Sequence, residues 1–395
     1  QSLQYSPLGV YKIMNPKKLL MLPGPTNVPE RIMNAMLTPL MGHRTPDFAY
    51  LMKNIVEKSK QVYQTSGDVI VFSSSGTGAV EAAITNIVRK GDKTIVTVFG
   101  EFGERAALLV EASGGVAIKV EAPFGDVPRI DQLEEAFEKN KDVKALVIIT
   151  NETSTGTMFK WLKEAGDLAA KYGSFLILDS VSNLTADDIP VDRIGADIVA
   201  TGSQKSLAAP PGLAMVSVSK KAKKYIIDNP PSHLYFNIAR HLKYAEIDQT
   251  PFTPALSLYY ALDEALNMAL EEGLNQRIQR HKLCADAFYS SFTAMGLKLF
   301  AVEEVRSNTI ISVNYPEGVD DKQFRGMLDK DYRVVIAGGF GPYKGKLFRI
   351  GSLGEVHRYH VVTTVSAVNN TLRSLMDKVR NENPVEIARA KLRDL

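Results

Sequence analysis

Short apolar runs and amphipathic stretches alternate along much of the first half of the chain. Apolar runs with the length and composition of β-strands occupy residues 69–72, 94–98, 116–120, 145–150, 175–178, 198–200 and 213–218. Stretches with helical periodicity separate most of them, at residues 77–89, 103–113, 130–139 and 161–172. Strands that alternate with helices in this way predict an α/β fold, with a mostly parallel seven-stranded sheet and helices on both faces.

The segments on either side of this region have a different pattern. Before it, proline and glycine are frequent, and the sequence predicts an extended arm at 20–46 with a short helix at 29–36, followed by a helix at 48–64. After it, prolines at 251–254 break the chain ahead of a long helical region, 255–295. Gly273 is expected to interrupt that region.

The last third of the chain alternates less regularly and predicts a smaller α+β unit. Strands are predicted at 309–315, 334–336 and 346–351, and helices at 321–328 and 359–380. We therefore expect three parts, namely an N-terminal extension (1–20), a large domain with its N-terminal arm (21–265) and a small C-terminal domain (266–395).

Composition narrows the classes of function. With 45% hydrophobic and 23% charged residues over 395 positions, the chain has the profile of a globular protein of two or three compact units. The net charge of +3 is too small to predict a nucleic-acid partner. The single cysteine, Cys284, is typical of a reducing compartment, and no apolar run approaches the ~18 residues of a membrane helix. Because residues 1–16 lack the continuous apolar region of a secretory signal, a cytoplasmic location is expected.

A lysine surrounded by small residues is the most unusual feature of the chain. Lys205 follows the strand predicted at 198–200, and its neighbours Ser206, Ala208 and Gly212 leave space beside its amine. A lysine that only needed solvation would lie among polar residues, so this setting favours a Schiff-base lysine that holds pyridoxal phosphate. Taken alone, the stretch leaves a partly exposed loop lysine open as the alternative.

Two more features follow predicted strands. Residues 73–78 (SSSGTG) lie between a strand and a helix, where small residues and the free N–H groups of a helix start favour an anion such as phosphate. Asp179 follows the apolar run 175–178, and a carboxylate there needs a partner such as a protonated pyridine nitrogen. A simple helix cap and a turn-capping aspartate remain the alternatives for these two features.

A second polar segment and an arginine complete the candidate chemistry. Residues 151–156 (NETSTG) place hydroxyls at a further strand end, and Arg349 lies among apolar residues on a predicted strand, where it suits a substrate carboxylate. A polar loop and a structural ion pair are the alternatives. Since ligands bind at the carboxyl ends of parallel strands, the combination predicts one active site. We find no spacing typical of metal ligands.

Five motifs together resemble the class V aminotransferases of fold type I. They are LPGPT at 22–26, SSGTGAVEAA at 74–83, NETSTG at 151–156, LDSV at 178–181 and GSQK at 202–205. The resemblance covers about residues 20–380, and the branch that the motifs resemble most contains the alanine–glyoxylate and serine–glyoxylate (serine–pyruvate) aminotransferases. It implies a pyridoxal phosphate enzyme with a large and a small domain.

The resemblance also implies a role for individual residues. Lys205 would hold the cofactor covalently, and Asp179 would pair with its pyridine nitrogen. Arg349 would bind the substrate carboxylate, and Thr153 would reach the ring hydroxyl or the substrate. The other implied cofactor contacts are Ser75, Gly76, Thr77 and Gln204 at the phosphate, Phe102 and Val181 on the two faces of the ring, and Thr250 and Thr253 at the phosphate of a neighbouring subunit. A homodimer with shared active sites would follow.

The implied reaction is a ping-pong transamination. A small amino acid, alanine or serine, would displace Lys205, whose amine then moves a proton as general base and acid, and glyoxylate or pyruvate would reverse the steps. Phe102 stands where the family often has tryptophan, and Thr77 where some relatives have histidine. For His43 and Arg44, in the N-terminal arm, there are two interpretations: they would reach the active site and help select small substrates, or they would form only a structural turn.

Other functions stay open at this point. Within the family, the donor could be an aminophosphonate or a larger amino acid. A cysteine desulfurase is disfavoured, because Cys284 lies in a helical run and Gln204 stands where those enzymes usually have histidine. Outside it, a nucleotide-binding oxidoreductase would need a glycine fingerprint. An inactive binding protein would not need Lys205, Asp179 and Arg349 together.

Overall fold

The computed structural model describes residues 18–376, 382–393 and 395. Its strands are β1 (Leu19–Met21), β2 (Asp68–Phe72), β3 (Lys93–Val98), β4 (Val116–Glu121), β5 (Val143–Ile149), β6 (Asn151–Glu152), β7 (Thr157–Met158), β8 (Phe175–Asp179), β9 (Ile198–Gly202), β10 (Ala214–Val218), β11 (Ile310–Asn314), β12 (Val334–Gly338) and β13 (Leu347–Gly351). Its α-helices are α1 (Glu30–Ala35), α2 (Pro46–Tyr63), α3 (Gly76–Thr85), α4 (Glu101–Ala112), α5 (Ile130–Lys139), α6 (Leu162–Lys171), α7 (Val191–Ile194), α8 (Lys220–Asp228), α9 (Ile238–Ala245), α10 (Leu256–Glu272), α11 (Leu274–Ala294), α12 (Asp321–Tyr332), α13 (Arg358–Leu375) and α14 (Pro384–Lys391).

The seven apolar runs predicted as strands form one seven-stranded sheet. Its order is β2-β10-β9-β8-β5-β3-β4. The pairs β9–β8, β8–β5, β5–β3 and β3–β4 are parallel, and only β10 runs antiparallel to its two neighbours. The predicted α/β fold with a mostly parallel sheet is therefore confirmed.

The sequences of the strands in this sheet, and of the helices that cover it, match their burial. The interior strand β5 has the sequence VKALVII, and nearly all of it is buried, as expected for a strand covered on both faces. Helix α5 is amphipathic and buries Leu133, Ala136 and Phe137, which share one face at helical spacing. Helix α3 buries Gly76, Gly78 and several alanines, so that its axis lies close to the sheet.

A second sheet, with the order β1-β12-β13-β11, has its own apolar core. Strand β1 pairs in parallel with β12, with Leu20 opposite Val335. The sequence predicted only an extended arm from residue 20, because three residues carry too little pattern to identify a strand. The chain therefore begins its described part in the small sheet before it enters the large one.

Several helices differ from the sequence expectation. Gly273 separates α10 from α11 as predicted, but α9 and the C-terminal α14 had no counterpart in the predicted set. The helix predicted at 359–380 is observed as α13, and residues 377–380 of that prediction lie outside the described residues. Within residues 18–376, 382–393 and 395, none of the helices has both the length and the apolar character to cross a bilayer.

Candidate active site

The loops after four strands of the large sheet surround one cavity. Strands β2, β5, β8 and β9 point in the same direction, so these loops leave the same edge of the sheet. The cavity has a volume of about 200 Å³. It is lined by Ser75, Gly76, Thr77, Phe102, Arg105, Asn151, Thr153, Asp179, Val181, Ser182, Gln204 and Lys205. Nine of the twelve predicted site residues lie in this lining, and the other three are Arg349, Thr250 and Thr253.

Lys205 lies in the loop that follows β9, against the N-terminal arm. Its Nζ donates a hydrogen bond of 2.5 Å to the carbonyl oxygen of Pro23. A Cβ added to Gly24, which has a φ of +118°, would lie 2.6 Å from that Nζ, so the glycine makes room for the amine. Burial and the positive charge of Arg349 lower the pKa of Lys205 to about 8, which makes the neutral amine accessible near physiological pH.

Asp179 is the last residue of β8 and forms part of the cavity wall. Its Oδ1 accepts a hydrogen bond of 3.0 Å from the backbone N–H of Val181. Burial raises the pKa of Asp179 to about 6, although that hydrogen bond and the charges of Lys205 and Arg105 act in the opposite direction. A cation placed in the cavity would therefore stabilise the ionised carboxylate.

An anion-binding arrangement lies at the start of α3. Ser75 is the N-cap residue of this ten-residue helix, and its side chain makes no capping hydrogen bond. A Cβ on Gly76 would lie 2.7 Å from a methyl carbon of Val181, so only glycine allows this close approach. The side-chain oxygen of Gln204 is buried and has no hydrogen-bond partner among the described residues. Free backbone N–H groups beside unsatisfied side chains suit a phosphate.

Arg349 reaches the site from β13 of the small sheet. Its Nε donates to the carbonyl oxygen of Gly338 at 2.8 Å, and its Nη1 donates to that of Thr153 at 2.9 Å. The ring of Phe340 covers the guanidinium, with 4.4 Å from the guanidinium carbon to the ring centroid. Burial lowers the pKa of Arg349 to about 10, so it stays cationic at neutral pH. The arrangement presents a fixed, charged donor beside the cavity residue Thr153.

Comparison with known protein families shows which family the chain belongs to. The protein-family model for aminotransferase class-V matches residues 20–342. The chain belongs to the class V aminotransferase family. The matched range begins in β1 and ends in the connection between β12 and β13, so it contains the residues that surround the cavity.

Similar proteins support this assignment along the whole length of the aminotransferase. An uncharacterized aminotransferase of Methanocaldococcus jannaschii is 43% identical, over 96% of this chain and 98% of its own. A serine–glyoxylate aminotransferase of Methylorubrum extorquens is 32% identical, over 95% and 96% of the two chains. A solved alanine–glyoxylate aminotransferase from Nostoc sp. has a TM-score of 0.88 at 31% identity, over 94% of this chain and 98% of that one. The expected family and fold are confirmed.

No role was predicted for three residues of the cavity lining, Arg105, Asn151 and Ser182, although Asn151 begins the candidate segment 151–156. The guanidinium of Arg105 lies over the ring of Phe102, at 4.7 Å from the centroid. The side-chain amide of Asn151 donates to the hydroxyl of Ser182 at 2.7 Å, while its buried Oδ1 has no partner among the described residues. Arg105 could have been found from its helical spacing to Phe102, since residues three apart share a helix face.

Thr250 and Thr253 lie outside the cavity of their own chain. Thr250 is buried, and its hydroxyl donates to the carbonyl oxygen of Phe252 at 2.8 Å, while Thr253 is exposed. The guanidinium of Arg44 donates to the carbonyl oxygen of Thr250 at 2.5 Å. Arg44 thus connects the N-terminal arm to this loop, whereas His43 is not one of the residues that line the cavity.

Cys284 has the surroundings of a structural thiol. It is fully buried in α11 within the core of the small sheet. Burial raises its pKa to about 12, so the thiolate is strongly disfavoured. A cysteine desulfurase needs a reactive thiolate at its active site, and the only cysteine of this aminotransferase does not provide one.

Proposed function

We propose that this aminotransferase holds pyridoxal phosphate on Lys205 and transfers an amino group from alanine or serine to glyoxylate or pyruvate. The observation that carries the proposal is that Lys205 and Asp179 line the same cavity, at the carboxyl edge of the sheet. An amine with a lowered pKa suits covalent attachment of a carbonyl group. A half-buried carboxylate with a raised pKa suits a cationic ring nitrogen.

The residues present fit the cofactor. Gln204, with its unpartnered buried oxygen, and the N–H groups at Ser75, Gly76 and Thr77 would hold the phosphate group. Phe102 and Val181, both in the cavity lining, would contact the ring, and Thr153 would reach the ring hydroxyl or the substrate. When bound, pyridoxal phosphate supplies an electron-withdrawing ring that makes the substrate Cα–H bond acidic.

Each protein group then has a defined task in the reaction. Lys205, once its amine is free, would remove the proton from the substrate Cα and deliver it to the C4′ carbon of the cofactor, as general base and then general acid. Arg349 holds the substrate carboxylate so that the Cα–H bond points toward Lys205. Asp179 keeps the ring nitrogen protonated through its negative charge. Because the same groups serve both half-reactions, ping-pong kinetics are expected.

The identity of the donor rests on the relatives. Arg349 would bind only the carboxylate, which all amino acids share, so it does not distinguish alanine from larger donors. Two of the three similar proteins named above are described as a serine–glyoxylate and an alanine–glyoxylate aminotransferase, which supports a small donor and glyoxylate as acceptor. A larger amino acid or an aminophosphonate is the alternative.

The active site is proposed to be shared between two copies of the chain. Thr250 and Thr253 would contact the phosphate in the partner's cavity, which agrees with their position outside their own cavity. Large apolar side chains are exposed on the arm, on the first turns of α2 and on the segment that precedes residues 250–253, namely Leu37, Leu40, Tyr50, Leu234, Tyr235 and Ile247. Their burial against a second copy would stabilise a homodimer. A cytoplasmic location stays a prediction.

A panel of amino donors tests the proposal. Purified protein loaded with pyridoxal phosphate is mixed with alanine, serine, glutamate, aspartate and an aminophosphonate, each with glyoxylate and with pyruvate. We expect alanine and serine to give the highest kcat/KM, with parallel double-reciprocal plots. Equal rates with glutamate and alanine would contradict the small-donor assignment, and activity with the aminophosphonate alone would favour the alternative.

A further inference from the structure

A buried carboxylate beside the cavity has no task in the reaction described above. Glu152 lies between the cavity residues Asn151 and Thr153, and its side chain is fully buried. Each of its two oxygens accepts two hydrogen bonds. A carboxylate without such partners would be strongly destabilised by removal from water. The groups that donate to it therefore indicate what it holds in place.

One oxygen of Glu152 caps helix α4. Its Oε2 accepts the backbone N–H groups of Phe102 and Gly103, each at 3.1 Å. The N-cap residue of this helix is Gly100, which has no side chain with which to cap it. A Cβ on Gly100 would lie 2.4 Å from the carboxyl carbon of Glu152. The glycine thus makes room for a cap that comes from another loop.

The other oxygen of Glu152 completes the cap through Ser154. Its Oε1 accepts the backbone N–H of Ser154 at 3.0 Å and the hydroxyl of the same residue at 2.5 Å. The Ser154 hydroxyl oxygen in turn accepts the backbone N–H of Glu101 at 3.0 Å. Three N–H groups in the first turn of α4, which a helix leaves without internal partners, are therefore bound by Glu152 and Ser154.

Both elements joined by Glu152 carry groups of the active site. Helix α4 presents Phe102 and Arg105 to the cavity. The carbonyl oxygen of Thr153, the next residue after Glu152, accepts the hydrogen bond from Arg349. The negative charge of Glu152 also favours the cationic form of Arg349 in its buried position. A shift of Glu152 would therefore displace the ring contact and the carboxylate-binding arginine together.

We propose that Glu152 is a positioning residue that fixes Phe102 against the cofactor ring and Arg349 against the substrate carboxylate. This inference rests on the proposed function. Only an ionised carboxylate accepts all four hydrogen bonds at once, because a glutamine would present its NH₂ group to at least one pair of donors. Loss of the Ser154 hydroxyl removes its bond to Glu152 and the bond that it accepts from the N–H of Glu101. The two bonds that Glu152 accepts from α4 remain, so this change should have a smaller effect.

The test compares Glu152→Gln, Ser154→Ala and a control, Asp197→Asn. Asp197 is also buried and accepts hydrogen bonds from the backbone N–H of Leu176 and the hydroxyl of Ser219, but it precedes β9, at the end of the strand opposite the cavity. The measurements are the Kd for pyridoxal phosphate, the visible circular dichroism of the bound cofactor, and amide hydrogen exchange at residues 101–103 in protein without cofactor. The KM for alanine is measured separately from kcat.

The expected results separate positioning from plain stability. Glu152→Gln raises the Kd for pyridoxal phosphate and the KM for alanine, each by about ten-fold, since it removes charge-assisted hydrogen bonds. It also weakens the circular dichroism band and accelerates exchange at residues 101–103. Ser154→Ala gives intermediate changes. Asp197→Asn lowers the thermal midpoint and leaves all of these quantities unchanged.

Two outcomes would overturn different claims. If wild-type protein does not bind pyridoxal phosphate, the proposed function itself is wrong. If wild-type protein binds it, and Glu152→Gln matches Asp197→Asn in Kd, circular dichroism and KM, Glu152 has only a structural role. If Glu152→Gln does not fold, Ser154→Ala decides, and wild-type values for Kd and for exchange at Glu101 overturn the positioning role.

Discussion

The raised pKa of Asp179 predicts that removal of its charge stabilises the protein without cofactor. Burial raises this pKa from its usual value of 3.8 to about 6. The folded state therefore binds a proton more tightly than the unfolded state, and its stability falls as the pH rises between these two values. Above about pH 6 the full penalty applies, and a difference of about two pKa units corresponds to up to about 3 kcal/mol. Asp179→Asn removes the titrating group and keeps an oxygen that accepts the N–H of Val181.

The assay is urea unfolding of cofactor-free protein at several pH values from 4 to 8. We expect Asp179→Asn to increase the free energy of unfolding at pH 7.5 by 1–3 kcal/mol, on the order of the penalty above, and to leave it almost unchanged near pH 4. The matched control is Asp197→Asn, because Asp197 is buried but paired with Lys221 at 3.1 Å. That variant should lose stability at pH 7.5. The reasoning is refuted if both variants lose stability equally, or if the gain at Asp179 does not diminish toward pH 4.

Three further predictions concern the same site. Arg349→Lys should raise the KM for amino and keto acids by roughly ten- to a hundred-fold, with a smaller change in kcat, as measured by steady-state kinetics. The reason is that a lysine cannot replace the hydrogen bonds from the guanidinium to the carbonyl oxygens of Gly338 and Thr153. Gly24→Ala should abolish the binding of pyridoxal phosphate, measured by the absorbance of the bound cofactor, because the added Cβ would lie 2.6 Å from Nζ of Lys205. Gly173→Ala is the control and should retain binding, since Gly173 also has a positive φ, of +68°, but has open space around it. The rate of capture should rise with pH, with a midpoint near the pKa of about 8 for Lys205, since only the neutral amine attacks a carbonyl; a midpoint near 10 would contradict this.

The sequence predicted the large sheet well because its strands are buried on both faces. Such strands read as continuous apolar runs, and helical periodicity separates most of them. Asp179 and Lys205 were predicted for a related reason, because Asp179 directly follows one apolar run and Lys205 comes shortly after another, among small residues. Strand β1 escaped prediction because its pairing with β12 joins segments about 300 residues apart, and its three residues carry no periodicity.

The support around the site could not be read from the sequence. Glu152 lies in a polar segment in which the neighbouring hydroxyl residues were the predicted site groups. Its hydrogen bond to the N-terminus of α4 joins residues that are 50 positions apart in the sequence. The contact of Phe340 with Arg349 depends on the return of the chain from β12 to β13. Hydrogen bonds between distant loops depend on the folded geometry, which residue type and spacing alone do not specify.

The central claim is that Lys205 is the residue that holds pyridoxal phosphate covalently. Wild-type and Lys205→Ala proteins are incubated with pyridoxal phosphate, treated with borohydride, digested and analysed by mass spectrometry. We expect the wild-type protein to be yellow and to carry one reduced adduct, on the peptide that contains Lys205. Lys205→Ala should carry none and should lose activity. An adduct of equal yield in Lys205→Ala, on any other lysine, would contradict the account.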